Sequence, residues 1–185
     1  MASVTSRLWP GRCYASRVTA APPALIVRAA RAEDEPFLWR MLATTAILPP
    51  AKSPSVERVQ ADPGIAPYLA GWGRPGDAGV VAELDGEPVG AAWYRLYDAN
   101  HPGYGFVDQD IPEISIGVEA SRRGRGVGRA LLEALVARAR AERHRALSLS
   151  VDRRNAPALA LYRSIGFEEV GGSAENPTML LRLVG

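Results

Sequence analysis

Residues 122–130, Arg-Arg-Gly-Arg-Gly-Val-Gly-Arg-Ala, crowd three glycines and four arginines into one turn. The turn lies between the strand-like Ile111–Glu119 and the apolar-periodic stretch Val127–Arg143. Such an arrangement binds anions. Gly124, Gly126 and Gly128 are expected to take positive φ and let the backbone approach a ligand closely. The first amides of the following helix lack intrahelical partners and carry partial positive charge, with a dipole worth roughly half a charge. Arg122, Arg123, Arg125 and Arg129 stand beside them with full charges, so a pyrophosphate is the natural occupant.

The type of phosphate ligand follows partly by elimination. A Walker A loop needs Lys-Ser or Lys-Thr after its last glycine, where this loop has Val127-Gly128-Arg129. The dinucleotide fingerprint G-x-G-x-x-G fails too, because counting from Gly124 puts Arg129 at its third glycine. Downstream, Leu147–Val151 reads as a strand and Asn155-Ala-Pro-Ala-Leu-Ala-Leu-Tyr-Arg-Ser-Ile-Gly-Phe as a short helix. Asn155 caps its first amides, Pro157 sits in the first turn where a missing N–H costs nothing, and Gly166 stops it. Asn155 and Tyr162 are nearly two turns apart and share a face.

The pattern Arg123-x-x-Gly126-x-Gly128, followed by Asn155 and Tyr162 after one helix and one strand, resembles the acetyl-coenzyme A loop and distal helix of the GNAT acetyltransferase superfamily. The resemblance implies that Arg123, Gly124, Arg125, Gly126, Val127, Gly128 and Arg129 hold the coenzyme's phosphates. It further implies that Asn155 contacts the coenzyme A arm and that Tyr162 lies near the sulfur. The strands before and after the loop helix would splay apart, turning backbone amides near Ile116, Gly117 and Val118 toward the thioester oxygen. Gly117 suits either such a distortion or simple packing beneath a helix. Tyr162 is the candidate general acid, or else a packing residue. Glu113 is the candidate base, directly or through a water, or else a solvated strand-end carboxylate. Glu119, next to the arginines, is expected to pair with one of them.

Length and composition fit one enzyme-sized domain, since 185 residues with 47% hydrophobic content bury one core. No apolar run approaches the roughly 20 residues of a membrane span. Cys13 is the single cysteine and His101 and His144 are the only histidines, none in a ligand spacing, so no metal is indicated. His144 reads as a helix C-terminal or solvated residue. Residues 1–32 hold five arginines and no acid; the rest carries 17 basic and 20 acidic residues, a net of −3. Within 122–145, eight arginines face two glutamates, +6 around the loop. No aromatic interleaves these arginines, which weighs against nucleic acid. Residues 1–24 are expected to be an extension, disordered or from an upstream start codon, ahead of a domain over 25–185. The 21 arginines against one lysine suggest GC-rich coding and a bacterial cytoplasm.

The elements expected to position these residues run β-α-α-β-β-β-α-β-α-β-β. They are a strand at Leu25–Ala29, a helix capped by Asp34, a second helix opened by Ser53-Pro54, and a hairpin Val80–Leu84/Pro88–Tyr97 around Asp85-Gly86. Then come strand Ile111–Glu119, helix 126–143, strand 147–151, helix 156–164, and strands near Phe167–Val170 and Met179–Leu183. This order matches an α/β GNAT fold, a mixed sheet of about seven strands with helices on both faces. The segment Tyr97–Ile111, with Asp98, Asn100, His101, Tyr104, Phe106, Asp108 and Asp110, either lines an acceptor pocket suited to a cationic amine or is a mobile loop. Tyr68, Trp72, Trp93 and Tyr94 either add an aromatic wall or divide between core and surface. The expected activity is acetyl transfer from acetyl-CoA to a primary amine of a small molecule, peptide or protein. The alternative is a noncatalytic acyl-CoA-binding module, and a homodimer stands as an open option.

Overall fold

The computed structural model describes residues 24–46 and 55–183. The expected N-terminal extension and the Ser53-Pro54 helix start fall outside these residues, apart from Ala24. Seven strands form one sheet in the order β1-β2-β3-β4-β5-β7-β6. They are β1 Leu25–Ala29, β2 Ala78–Leu84, β3 Glu87–Arg95, β4 Glu113–Val118, β5 Ala146–Ser150, β6 Glu168–Gly172 and β7 Pro177–Arg182. The helices are α1 Glu35–Thr45, α2 Val56–Ala61, α3 Val127–Ala141 and α4 Ala156–Ile165. Every neighbouring pair in the sheet is antiparallel except β4 with β5.

The sheet separates two apolar cores. One packs α3 and α4 through Val127, Leu131, Leu132, Leu135, Leu159 and Tyr162. The other packs α1 and α2 on the opposite face through Phe37, Leu38, Met41, Leu42 and Val59. Trp93 and Tyr94 accordingly go to opposite faces of β3, as strand alternation requires, and both are fully buried. They build cores rather than an acceptor wall. The β2–β3 turn forms as its Asp-Gly pair demands, with φ of 54° at Asp85 and 83° at Gly86.

Asp34 ends a 3₁₀ turn before α1, but its carboxylate does not cap the helix. It accepts instead from Arg28 at 2.7 and 2.8 Å and from the amide of Arg31 at 2.7 Å. A charged partner outcompeted the helix amides. The second helix begins two residues later than Ser53-Pro54 suggests, with Ser55 as the cap, its Oγ accepting from the amide of Arg58 at 3.3 Å. A buried ion pair fixes the segment before β2: Arg95 holds Asp77 at 2.6 and 2.9 Å, with side chains only 1% and 2% exposed. The same guanidinium donates to the carbonyls of Pro67 and Ala70. Asp77→Ala would strand this cation in the interior, a loss of about 3–5 kcal/mol. The urea unfolding midpoint checks it, and a midpoint near wild type would contradict the assignment.

Candidate active site

β4 and β5 touch in register at one pair, Glu113 with Ser148, where the amide of Ser148 donates to the carbonyl of Pro112 at 3.0 Å. Beyond it the strands diverge into a wedge, while β4 stays paired with β3 along its whole length. The amide of Glu119 donates to the carbonyl of Val89, which sets the alternation of β4. Positions 113, 115 and 117 therefore bond to β3, and the amides of Ile116 and Val118 turn into the wedge. The carbonyl of Val118 faces the same opening and accepts from Arg123 Nε at 3.1 Å.

Gly117 departs from the expectation that its amide faces the wedge, because it belongs to the set bonded to β3. Its missing side chain serves packing. A Cβ there would lie 2.6 Å from the carbonyl oxygen of Met41, so the glycine lets α1 rest directly on the sheet.

The loop after β4 passes through a 3₁₀ turn at Ala120–Arg122 and two left-handed glycines, Gly124 at φ 73° and Gly126 at φ 83°. Gly126 caps α3, whose first bond runs from the amide of Ala130 to the carbonyl of Gly126. The amides of Val127, Gly128 and Arg129 thus point outward from the helix start. Gly128 is helical, not left-handed as expected. A Cβ there would sit in ordinary contact with Leu161 of α4, at 3.4 Å, and Val118, at 3.9 Å. The end of β4, the start of α3 and the middle of α4 meet at this glycine.

The arginines of the loop divide their work. Arg129 ties α3 to α4 through Ser164 Oγ at 2.8 Å and lies 3.5 Å from Glu133. Arg123 closes onto Val118, and the Nε of Arg122 is buried without a partner among the described residues. Arg125 is exposed and makes no ion pair among the described residues. Glu119 does not form the expected pair with an arginine among the described residues. Farther along, Arg138 pairs with Glu142, and Arg145 holds both Asp108 and Asp110. The basic stretch is therefore partly neutralised.

On α4, Asn155 Oδ1 accepts from the amide of Ala158 at 3.2 Å, which leaves its Nδ2 without a partner among the described residues. Gly166 ends the helix at φ 107°. Tyr162 is 7% exposed, with its ring 5.8 Å from that of Phe167. Its hydroxyl has no hydrogen-bond partner among the described residues, and burial pushes its pKa up to about 12.

Glu113 lies on the opposite face of the sheet, at the point where the wedge closes. It is not the solvated strand-end carboxylate that the sequence also allowed, being only 3% exposed. Its Oε1 accepts from the hydroxyl of Tyr68 at 2.7 Å and from the amide of Gly105 at 2.8 Å, while Oε2 is buried without a partner among the described residues. Burial raises its pKa above the ordinary carboxylate range, and these two hydrogen bonds pull it back. Tyr97 Oη and Ser148 Oγ are also buried, with no hydrogen-bond partner among the described residues. The Tyr68 ring stands between Tyr97, at 5.5 Å, and Tyr104, stacked at 6.1 Å.

The loop Tyr97–Ile111 uses its acids on itself and on Arg145. Asp98 accepts from the amides of Asn100 and His101, and Asp108 and Asp110 serve Arg145. Gly103 and Gly105 explain the loop's path. A side chain at 103 would overlap Glu113 Oε2, and one at 105 would overlap the β5 backbone at Leu149–Ser150. His144 packs edge-on to Tyr94 at 5.3 Å, away from the wedge. Among the described residues, no cluster of metal-ligating side chains occurs, and no helix is long and apolar enough to cross a membrane.

A mixed seven-stranded sheet, splayed between its two parallel strands and opening onto a glycine-rich helix start, is the architecture of acyl-CoA-dependent transferases of the GNAT type. Residues 41–167 match the acetyltransferase (GNAT) family, and the chain belongs to it. The crystal structure of ribosomal-protein-alanine N-acetyltransferase from Brucella melitensis superposes with a TM-score of 0.63 at 28% identity, over 85% of this chain and 99% of that one. Mycothiol acetyltransferase of Acidothermus cellulolyticus is 36% identical over 106 residues, 54% of this chain and 32% of that protein. L-methionine sulfoximine/L-methionine sulfone acetyltransferase of Pseudomonas aeruginosa is 35% identical over 92 residues, 50% of this chain and 51% of that protein. The chain thus spans about a third to a half of the length of these two curated relatives.

Proposed function

We propose that the chain transfers an acetyl group from acetyl-CoA to a primary amine of a small molecule, peptide or protein, by direct attack within a ternary complex. This reading is supported by the approach of Val118 and Leu161 to Gly128, which brings together the end of β4, the start of α3 and the middle of α4. The outward amides of Val127, Gly128 and Arg129, with Arg125, take the pyrophosphate. Asn155, its oxygen committed to the cap, offers Nδ2 to the pantetheine arm.

Acetyl-CoA supplies the activated thioester. The amides of Ile116 and Val118 face the wedge, where they orient the donor and polarise the thioester carbonyl. As the amine nitrogen bonds to the carbonyl carbon and the C–S bond breaks, Tyr162 donates a proton or hydrogen bond to the departing sulfur. Glu113, at the closed end of the wedge, takes the amine's proton through a water. No covalent intermediate with the protein is required. Initial velocities varied in both substrates should therefore give intersecting double-reciprocal lines. Parallel lines, the mark of an acyl-enzyme, would overturn direct transfer.

A further inference from the structure

We propose that Tyr68 is a positioning residue for Glu113, holding Oε1 together with the amide of Gly105 so that Oε2 alone is left to receive the proton; this rests on reading Glu113 as the base. The polarity of the contact is fixed by its surroundings. The amide of Tyr104 donates to the Tyr68 oxygen at 2.6 Å, so the hydroxyl's own hydrogen is committed to Glu113 at 2.7 Å. Oε1 then accepts two bonds, and Oε2 lies against Gly103 with none.

Tyr68 is itself held from several sides. Trp93 Nε1 donates to its carbonyl at 2.9 Å, and Arg95 donates to the carbonyls of Pro67 and Ala70 on either side of it. Tyr97 and Tyr104 flank its ring. Arg95 is the register partner of Glu113 on β3, yet its guanidinium is bound to Asp77 and does not neutralise the carboxylate. Two further polar groups on this side, Tyr97 Oη and Ser148 Oγ, make no hydrogen bond among the described residues. The ionised form of Glu113 therefore depends on Tyr68 and Gly105.

Stability as a function of pH reads this carboxyl without any knowledge of the acceptor. Because burial raises its folded-state pKa, the folded protein holds the proton more tightly than the unfolded chain does. Stability present at low pH is then lost as pH rises from the ordinary carboxylate range through the raised value. Glu113→Gln should abolish that decline in thermal midpoint. Tyr68→Phe should move it upward by about one pH unit, the effect of a lost hydrogen bond to a charged group. It should also lower thiol release from acetyl-CoA, with spermidine, methionine and an alanine-initiated tripeptide supplied together, by about tenfold at neutral pH. A Tyr68→Phe curve lowered equally at every pH, with the decline unmoved, would overturn the positioning role and leave the base reading standing. Undiminished thiol release by Glu113→Gln would overturn the base reading itself.

Discussion

Valine at position 126 is expected to weaken acetyl-CoA binding by about a hundredfold or more, measured by calorimetric titration, while the protein stays folded. Gly126 is exposed, and a Cβ there meets nothing within 4 Å, so the substitution creates no clash. The penalty lies in the backbone. At φ 83° an L side chain, above all a β-branched one, costs about 1–2 kcal/mol. The loop can relieve that strain only by rotating the peptide that starts α3, which turns the amides of Val127–Arg129 away from a common point. Each hydrogen bond to a charged group is worth about 1.5–3 kcal/mol, so losing two weakens binding by roughly two to four orders of magnitude. Gly128→Ala is the control. That position is helical, and its Cβ would meet Leu161 at 3.4 Å, an ordinary contact. Unchanged affinity in Gly126→Val would mean that the phosphates bind elsewhere.

Tyr162→Phe is expected to lower kcat by about a hundredfold or more, with acetyl-CoA affinity nearly unchanged. The hydroxyl has no partner among the described residues, so its removal leaves none of their buried groups unsatisfied, and the ring keeps its packing on Phe167. Stability should hardly move. With a pKa of about 12 the hydroxyl is protonated throughout the neutral range, ready to donate. An ordinary thiol ionises near about 8.5, so the departing sulfur is the weaker base and gains mainly a short hydrogen bond from Tyr162 rather than a completed proton transfer. That stabilisation exists only as the C–S bond breaks, which is why the loss falls on kcat and not on binding. Single-turnover rates on the two proteins separate the steps, and equal rates would remove Tyr162 from the chemistry.

The legible parts of this fold are those written in local chemistry. Asn155, Pro157 and Gly166 delimit α4 almost residue by residue, and Asp85-Gly86 fixes the hairpin, because caps and primed turns depend on neighbours within four positions. The alternation of Ile114, Ile116 and Val118 against Glu113, Ser115 and Gly117 likewise survives into the sheet. What stayed hidden depended on distant partners. The Tyr68–Glu113 contact spans 45 residues, and Arg28 reaches Glu83 across 55. Gly103, Gly105 and Gly117 look like turn or bulge glycines in sequence, yet each is needed where another part of the chain presses against it. The arginine loop shows the same limit. Four adjacent cations suggest one phosphate site, but Arg129 is drawn to Ser164 and Arg123 to the end of its own strand.

Acetyl transfer is measured most directly as thiol release from acetyl-CoA by the full chain, assayed separately with polyamines, aminoglycosides, free amino acids and short peptides, with mass spectrometry of the products. A transferase gives release that depends on one amine class and matches, mole for mole, an N-acetylated product. Acetyl-CoA bound tightly, with no release in any class, would contradict catalysis and favour a noncatalytic acyl-CoA-binding module on the same scaffold.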